Sequence, residues 1–231
     1  MKKLILSLLV VATVLAVQSC SKQDSSDVNQ TKIWTQYELS YNKTNDVTDV
    51  VARFRFGGAT GTILELSDTS GAQVTFNGQV MPYAGLWGAH HLQFAGNVTT
   101  GTFSYKNTAG TIYTNNVPAG ADTLGFQPGF DTIKKSVAET FYWTGTALAP
   151  NQAVGIYVGT WAWDSDALFY TEADGATSIV MGASAKNGLT PGTSTVFLSR
   201  SVQNNSINAP SVGGFIKYSY TTQKTNVTIV P

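Results

Sequence analysis

Charge is scarce in this chain. Only 12% of its 231 residues are Asp, Glu, Lys or Arg, and 14 acids balance 14 bases. A nucleic-acid binder needs a clustered basic face, so no nucleic acid is expected as a partner. There are two histidines and a single cysteine. One cysteine excludes any disulfide within the chain, and so few soft ligands exclude a zinc centre. No GxxxxGK[ST] loop and no GxGxxG between a strand and a helix is present, so no nucleotide cofactor is implied. The GxSxG nucleophile elbow is missing too. A Ser-His-acid triad would have to draw its base from His90 or His91. The sequence therefore nominates no catalytic residue, no metal and no cofactor. Capped helical periodicity is also missing after the first segment. Disorder is excluded in turn, because 42% of residues are hydrophobic and 11% aromatic.

What is present begins with a targeting pattern. Met1-Lys2-Lys3 is basic, and Leu4 to Val17 is an uncharged, mostly apolar run of 14 residues. That is short of the roughly 20 a spanning helix needs, and suits a signal-peptide h-region. The run ends in Val17-Gln18-Ser19-Cys20. This resembles the lipobox of bacterial lipoproteins, with Gln18 departing from the stricter small or apolar pattern. The looser form is similar to that of Bacteroidetes-type lipoproteins. The resemblance implies removal of residues 1–19 and lipidation (palmitate included) of Cys20. It further implies an outer-membrane lipid anchor, with the cell surface favoured over the periplasmic face. The other reading is an ordinary cleaved signal followed by a coincidental Cys. Residues 20–31 then form the lipidated Cys and a polar tether, SKQDSSDVNQT after Cys20. Its Ser-rich, acidic start resembles the surface-export signals of the same lipoproteins, interrupted by Lys22 and Gln23.

From Ile33 onward, short period-two runs recur between turn signals. Ile33, Tyr37, Leu39 and Tyr41 share one parity, and Val50, Ala52, Phe54 and Phe56 share another. Asn77-Gly78 between β-runs predicts a two-residue type I′ hairpin. Gly and Pro cluster over Asn115–Gly129. The expected class is all-β: two tandem antiparallel sandwiches over 32–118 and 130–231, joined by a linker at 119–129. Gly188-Leu189-Thr190-Pro191-Gly192-Thr193 resembles the Leu-x-Pro-Gly corner of fibronectin type III and related immunoglobulin-like domains, with Thr195 where that family often has a Tyr. Both halves are similar to tandem-domain Bacteroidetes-type lipoproteins that have no settled biochemical role.

Neighbouring strand residues point to opposite faces, so His90 is expected inward and His91 outward. Asp164, Asp166, Glu172 and Asp174 put four acids within 11 residues. They read as a solvated loop, as a calcium site if a short turn brings them together, or as glycosidase carboxylates. Val154, Ile156 and Val158 form an apolar stripe, while Tyr157, Trp161 and Trp163 have the other parity. In an unbroken strand those three rings face away from the core and suit stacking on sugar rings or a partner, with Asp164 and Asp166 beside them. A bulge at Gly159 reverses that parity and buries the tryptophans; contact with the other domain buries them too. Thr123 and Thr132 follow Asp and precede an aliphatic residue. These triplets resemble the O-glycosylation acceptor of Bacteroidetes-type bacteria.

The sequence thus predicts a membrane-anchored, non-enzymatic surface or periplasmic module. It binds a glycan, a polymer or an envelope protein, or serves as a structural part of the envelope. The ligand-binding set is Tyr157, Trp161, Trp163, Asp164 and Asp166. The competing reading is a glycan-active lipoprotein hydrolase using the 164–174 carboxylates or His91.

Overall fold

The computed structural model describes residues 22–120, 124–159 and 165–231. In chain order the first-half strands are β1 (Gln23–Asp24), β2 (Ile33–Asn42), β3 (Val47–Phe56), β4 (Thr62–Glu65), β5 (Gln73–Phe76), β6 (Gln79–Val80), β7 (Tyr83–Ala84), β8 (Ala89–Ala95), β9 (Thr102–Lys106) and β10 (Ile112–Asn116). The second half adds β11 (Gly125–Phe126), β12 (Thr132–Lys134), β13 (Glu139–Thr144), β14 (Gln152–Gly159), β15 (Ser165–Thr171), β16 (Ser178–Met181), β17 (Gly192–Asn204) and β18 (Gly214–Val230). Among the described residues the only helical pieces are three-residue 3-10 turns, so the chain is all-β.

One wide sheet runs β1-β4-β3-β2-β18-β17-β14-β15, with β7, β8 and β12 attached to it. Two small sheets, β10-β9-β5-β6 and β11-β13-β16, come one from each half of the chain. The halves share the wide sheet. Its β2, from the first half, pairs in parallel with β18, from the second, over Thr35–Asn42 and Gly214–Thr221. Most other ladders are antiparallel.

Period-two sequence explains the layering. Along β2 every second residue is buried, from Ile33 to Tyr41, and the alternate ones are half-buried. The inward set packs against the first small sheet: Tyr37 on Phe103 at 4.9 Å, Phe54 on Tyr105 at 4.6 Å between ring centroids. In the second half Phe130 meets Phe141 at 4.9 Å. Val154, Ile156 and Val158 are fully buried beneath it, with Leu198 and Val196 beside them. Each such aliphatic contributes on the order of 2 kcal/mol by burial. The predicted hairpin is present. Asn77 and Gly78 both have positive φ, at 49° and 81°, and Phe76 pairs with Gln79 across them.

Two buried cations brace the second half. Arg200 of β17 donates to the carbonyls of Thr146 and Ala147 and to the Gln152 side chain, tying the β13–β14 connection to the wide sheet. Lys186 Nζ lies 2.8 Å from Glu139 Oε2, fastening the 3-10 turn Ser184–Lys186 to β13.

Candidate functional site

The wide sheet has one face in the core and one open face. Residues of the open face are half-buried along β2, β17 and the first half of β18. An open groove of about 510 Å³ lies on this face where β15, β14, β17 and β18 run side by side. Tyr157, Leu168 and Tyr170 give it aromatic and aliphatic surface. Ser199, Ser201, Gln203 and Lys217 give it polar surface. Leu168 is 43% and Tyr170 67% exposed, large values for such side chains.

Tyr157 is held flat by the absence of a side chain beneath it. A Cβ on Gly155 would stand 3.2 Å from Tyr157 Cε2 and 3.4 Å from its hydroxyl, so the ring lies over the Gly155 backbone. A glycine inside a strand often marks such a close approach. Across the ladders Gly155 faces Tyr170 on one side and Ser199 on the other, and Tyr157 faces Leu168 and Phe197. Burial raises the Tyr157 phenol above the ordinary tyrosine value, so it is a neutral hydrogen-bonding group at physiological pH.

A second, smaller depression of about 220 Å³ lies farther across the same face. It is lined by Ser40, Tyr41, Asn42, Asp49, Phe197 and Thr221. Thr221 Oγ1 is 3.3 Å from Ser199 Oγ of the first groove. Beyond it, Asp49 Oδ1 is 2.9 Å from His91 Nε2 and accepts from the Gln93 amide at 3.0 Å. His91 stacks on Trp87, with centroids 4.5 Å apart and planes 13° from parallel. His90 points the other way. It is buried, with Nε2 accepting from the Leu66 N–H at 3.2 Å and Nδ1 2.8 Å from the Met81 carbonyl. Opposite strand faces separate the two imidazoles.

Of the residues nominated from sequence, Tyr157 lies in the groove. Asp166 is exposed on β15, two positions from Leu168. The pairing of β14 with β15 shifts register between Val158 and Gly159, and Gly159 has φ +91°. The extra residue of that irregularity is Asp166 of β15, which the pairing skips, and the residues after Gly159 on which the parity of the tryptophans turns lie outside the described residues. Trp161, Trp163, Asp164, Thr123 and Cys20 lie outside the described residues. Thr132 sits in β12, half-buried, paired in parallel with Thr228, its hydroxyl 3.1 Å from Asp131 Oδ1.

The acidic run is not one loop. β15 separates Asp166 at its start from Glu172 and Asp174 beyond its end. Six residues of extended strand hold Asp166 and Glu172 roughly 20 Å apart. Among the described residues no three His, Cys, Asp or Glu side chains gather as a metal site would need.

Sequence reasoning missed Gly155, Leu168, Tyr170, Ser199, Ser201, Gln203 and Lys217. They come from four strands and meet only through the ladders. The one local signal was the placement of Gly155 two residues before an outward Tyr.

No protein family matches the chain, and no curated protein does. Two solved structures are similar to parts of it. One is a 1.5-MDa bacterial ice-binding adhesin described in terms of its retention on the host cell surface. It is 14% identical over 85% of this chain and 65% of that one, with a TM-score of 0.26. The other is SGBP-B of the Bacteroides ovatus mixed-linkage glucan utilization locus, in complex with a mixed-linkage heptasaccharide. It is 9% identical over 88% of this chain and 44% of that one, with a TM-score of 0.22. The chain thus spans less than two thirds of either, and neither score reaches the level of a shared fold.

Proposed function

We propose that this chain is a lipid-anchored, non-enzymatic binding module of the bacterial envelope that uses the open face of its wide sheet. The observation that carries the reading is the groove over Gly155. A flat Tyr157 ring, an exposed Leu168 and Tyr170, and a rim of hydroxyls and amides form a shallow adhesive surface. Such a surface suits holding a polymer, and among the described residues that line it Glu172 is the lone carboxylate. A hydrolase would join a deep pocket to titratable groups shifted by their neighbours. Among the described residues the strongly raised groups are core phenols, Tyr37 and Tyr105, which burial pushes up.

Anchoring rests on Cys20. Lys22 forms an ion pair with Glu65 and stands 5.3 Å from the centre of the Tyr83 ring. The proposed anchor is therefore only two residues from the folded body. An outer-membrane location rests on the lipobox resemblance, and the preference for the cell surface on the resemblance of the Ser-rich, acidic start after Cys20 to surface-export signals.

Two measurements on one preparation test this reading. The full chain should partition into the detergent phase, and Cys20→Ser should not. Incubated with soluble polysaccharides or envelope glycoproteins, the full chain should retain a ligand without releasing new reducing ends. Release of reducing ends lost in Asp166→Asn would establish the hydrolase instead.

A further inference from the structure

Read through the strand registers, the two depressions belong to one feature. On the open face Ala153, Ser201, Ser219, Ser40, Asp49 and Gln93 are successive cross-strand partners over β14, β17, β18, β2, β3 and β8. The neighbouring row runs Tyr170, Gly155, Ser199, Thr221 and Asn42. Ala153, Ser201, Ser219 and Ser40 of the first row, and Gly155, Ser199 and Thr221 of the second, are small. Larger side chains flank them, with Tyr157 and Phe197 on one side and Gln203, Lys217 and Glu38 on the other. Small rows between taller ones make a trough perpendicular to the strands. Its small floor spans four strands, β14, β17, β18 and β2, which at about 4.8 Å spacing gives a length of roughly 14 Å.

We infer that this trough takes an uncharged polysaccharide chain lying across the strands. The inference rests on the reading of the chain as a binding module and names its ligand class.

Three properties select that chemistry. The first is the floor, where hydroxyls already bond one another, Ser219 to Ser40 at 3.0 Å and Thr221 to Ser199 at 3.3 Å. Hydroxyls both donate and accept, and so match the mixed donors and acceptors of sugar hydroxyls. The second is the aromatic surface of Tyr157 over Gly155 at one end, amphipathic and rigid like other ring platforms.

The third is charge. Glu38 accepts from Gln36 and from Arg53, and Asp49 is engaged by His91 and Gln93. Lys217 and Glu172 in the groove are of opposite sign. No field of one sign runs along the trough, so an ionic polymer gains nothing there. A peptide is disfavoured by direction. Extended peptides add to sheet edges through backbone bonds, whereas the floor here is the middle of a sheet whose backbone groups are already paired.

The test uses the full chain and four uncharged polysaccharides: a β-glucan, a xylan, a mannan and an α-glucan. Affinity electrophoresis selects the one retained, and calorimetry follows its oligosaccharides of rising length. Affinity should climb with length until the oligomer spans the trough. Tyr157→Ala and Ser201→Gln should weaken binding of every length at least tenfold. Ser40→Gln, which obstructs the far part, should weaken long oligomers and leave short ones unchanged. Melting curves identify any variant that is merely misfolded; for such a position Tyr157→Leu or Ser201→Thr is measured instead.

Equal affinity for short and long oligomers, with Ser40→Gln harmless, overturns the transverse trough and leaves the binding module standing. Retention of none of the four overturns the inference. In that case a soluble envelope glycoprotein, bound by the wild type and lost in Tyr157→Ala, would show that the binding-module reading survives without it. Retention of a polysaccharide that neither Tyr157→Ala nor Ser201→Gln affects removes this face as the site.

Discussion

The tyrosines show how one residue type serves two purposes here. Tyr37 and Tyr105 fill the core between the wide sheet and its first cover, fully buried. Burial opposes the phenolate and holds both phenols well above the ordinary tyrosine value. Tyr157 is raised by the same cause, less buried and on the open face. The folded state thus keeps these protons where the unfolded chain has begun to lose them. Stability from these groups is complete below about pH 10 and declines as pH climbs from there toward the folded values. In an alkaline titration the Tyr37 and Tyr105 phenols should therefore ionise only together with the loss of the sheet spectrum. Smooth ionisation of all ten tyrosines while circular dichroism stays native would contradict this placement. The outward direction of Tyr157 was legible in the sequence, because strand parity is a local property of Val154 to Val158. That parity holds to Val158; at Gly159 φ is positive and the ladder with β15 shifts register. The residues that complete the groove were not legible, since Ser199, Ser201 and Lys217 reach Tyr157 through pairings that no local pattern encodes.

At the scale of elements, β17 carries a cation inside the core. Arg200 sits among apolar neighbours Leu198 and Val202 of the same strand face, all buried. Its guanidinium meets carbonyl and amide oxygens of the β13–β14 connection, so the arginine closes that loop onto the sheet. Arg200→Leu keeps the bulk and removes every one of these donors. The carbonyl of Ala147 then loses this donor, while that of Thr146 keeps the Trp143 indole N–H and the Gln152 oxygen keeps the Ala149 N–H; losing hydrogen bonds from a charged group costs about 1.5–3 kcal/mol. Urea unfolding should register a loss on the order of 3 kcal/mol. A loss under about 0.5 kcal/mol, the size of an ordinary surface substitution, would show that water or side-chain motion replaces the clasp. Sequence alone gave no hint of this role, since an Arg in a β-patterned run reads as outward. Elements with strong local signals were legible: the alternation of β2 and β3 and the Asn77-Gly78 hairpin. β1 and β12 were not, because two- and three-residue parallel pairings carry no periodicity. The length of β18 is hidden in the sequence, because the polar Thr222–Asn226 segment between Phe215–Thr221 and Val227–Val230 lacks the alternation that marks a strand, while the ladder with β17 carries the strand through.

For the whole molecule the decisive contact is the parallel ladder of β2 with β18. Each half of the chain brings its own small covering sheet, which is why turn-rich residues 119–129 mark a change of pattern. Yet the sheet beneath is continuous from β4 to β15. Separating the halves would break the ladder over Thr35–Asn42 and Gly214–Thr221 and expose two long strand edges at once. It would also uncover the Tyr41–Tyr220 contact at 5.4 Å and the hydrogen bonds joining Asn115 to Asn208. Unpaired edges of that length are sticky and do not persist in water. The open-face trough crosses the same seam, with Ser219 on one side and Ser40 on the other. Binding across it would therefore bind the halves together. A chain cut by protease within 119–129 should still elute as one particle and unfold in one transition with urea. Saturation with a retained polysaccharide should raise that single midpoint. Two fragments that separate under native conditions, each keeping a sheet spectrum, would instead establish autonomous domains. They would also remove the continuous floor on which the trough depends, because Ser40 and Ser219 would no longer lie side by side.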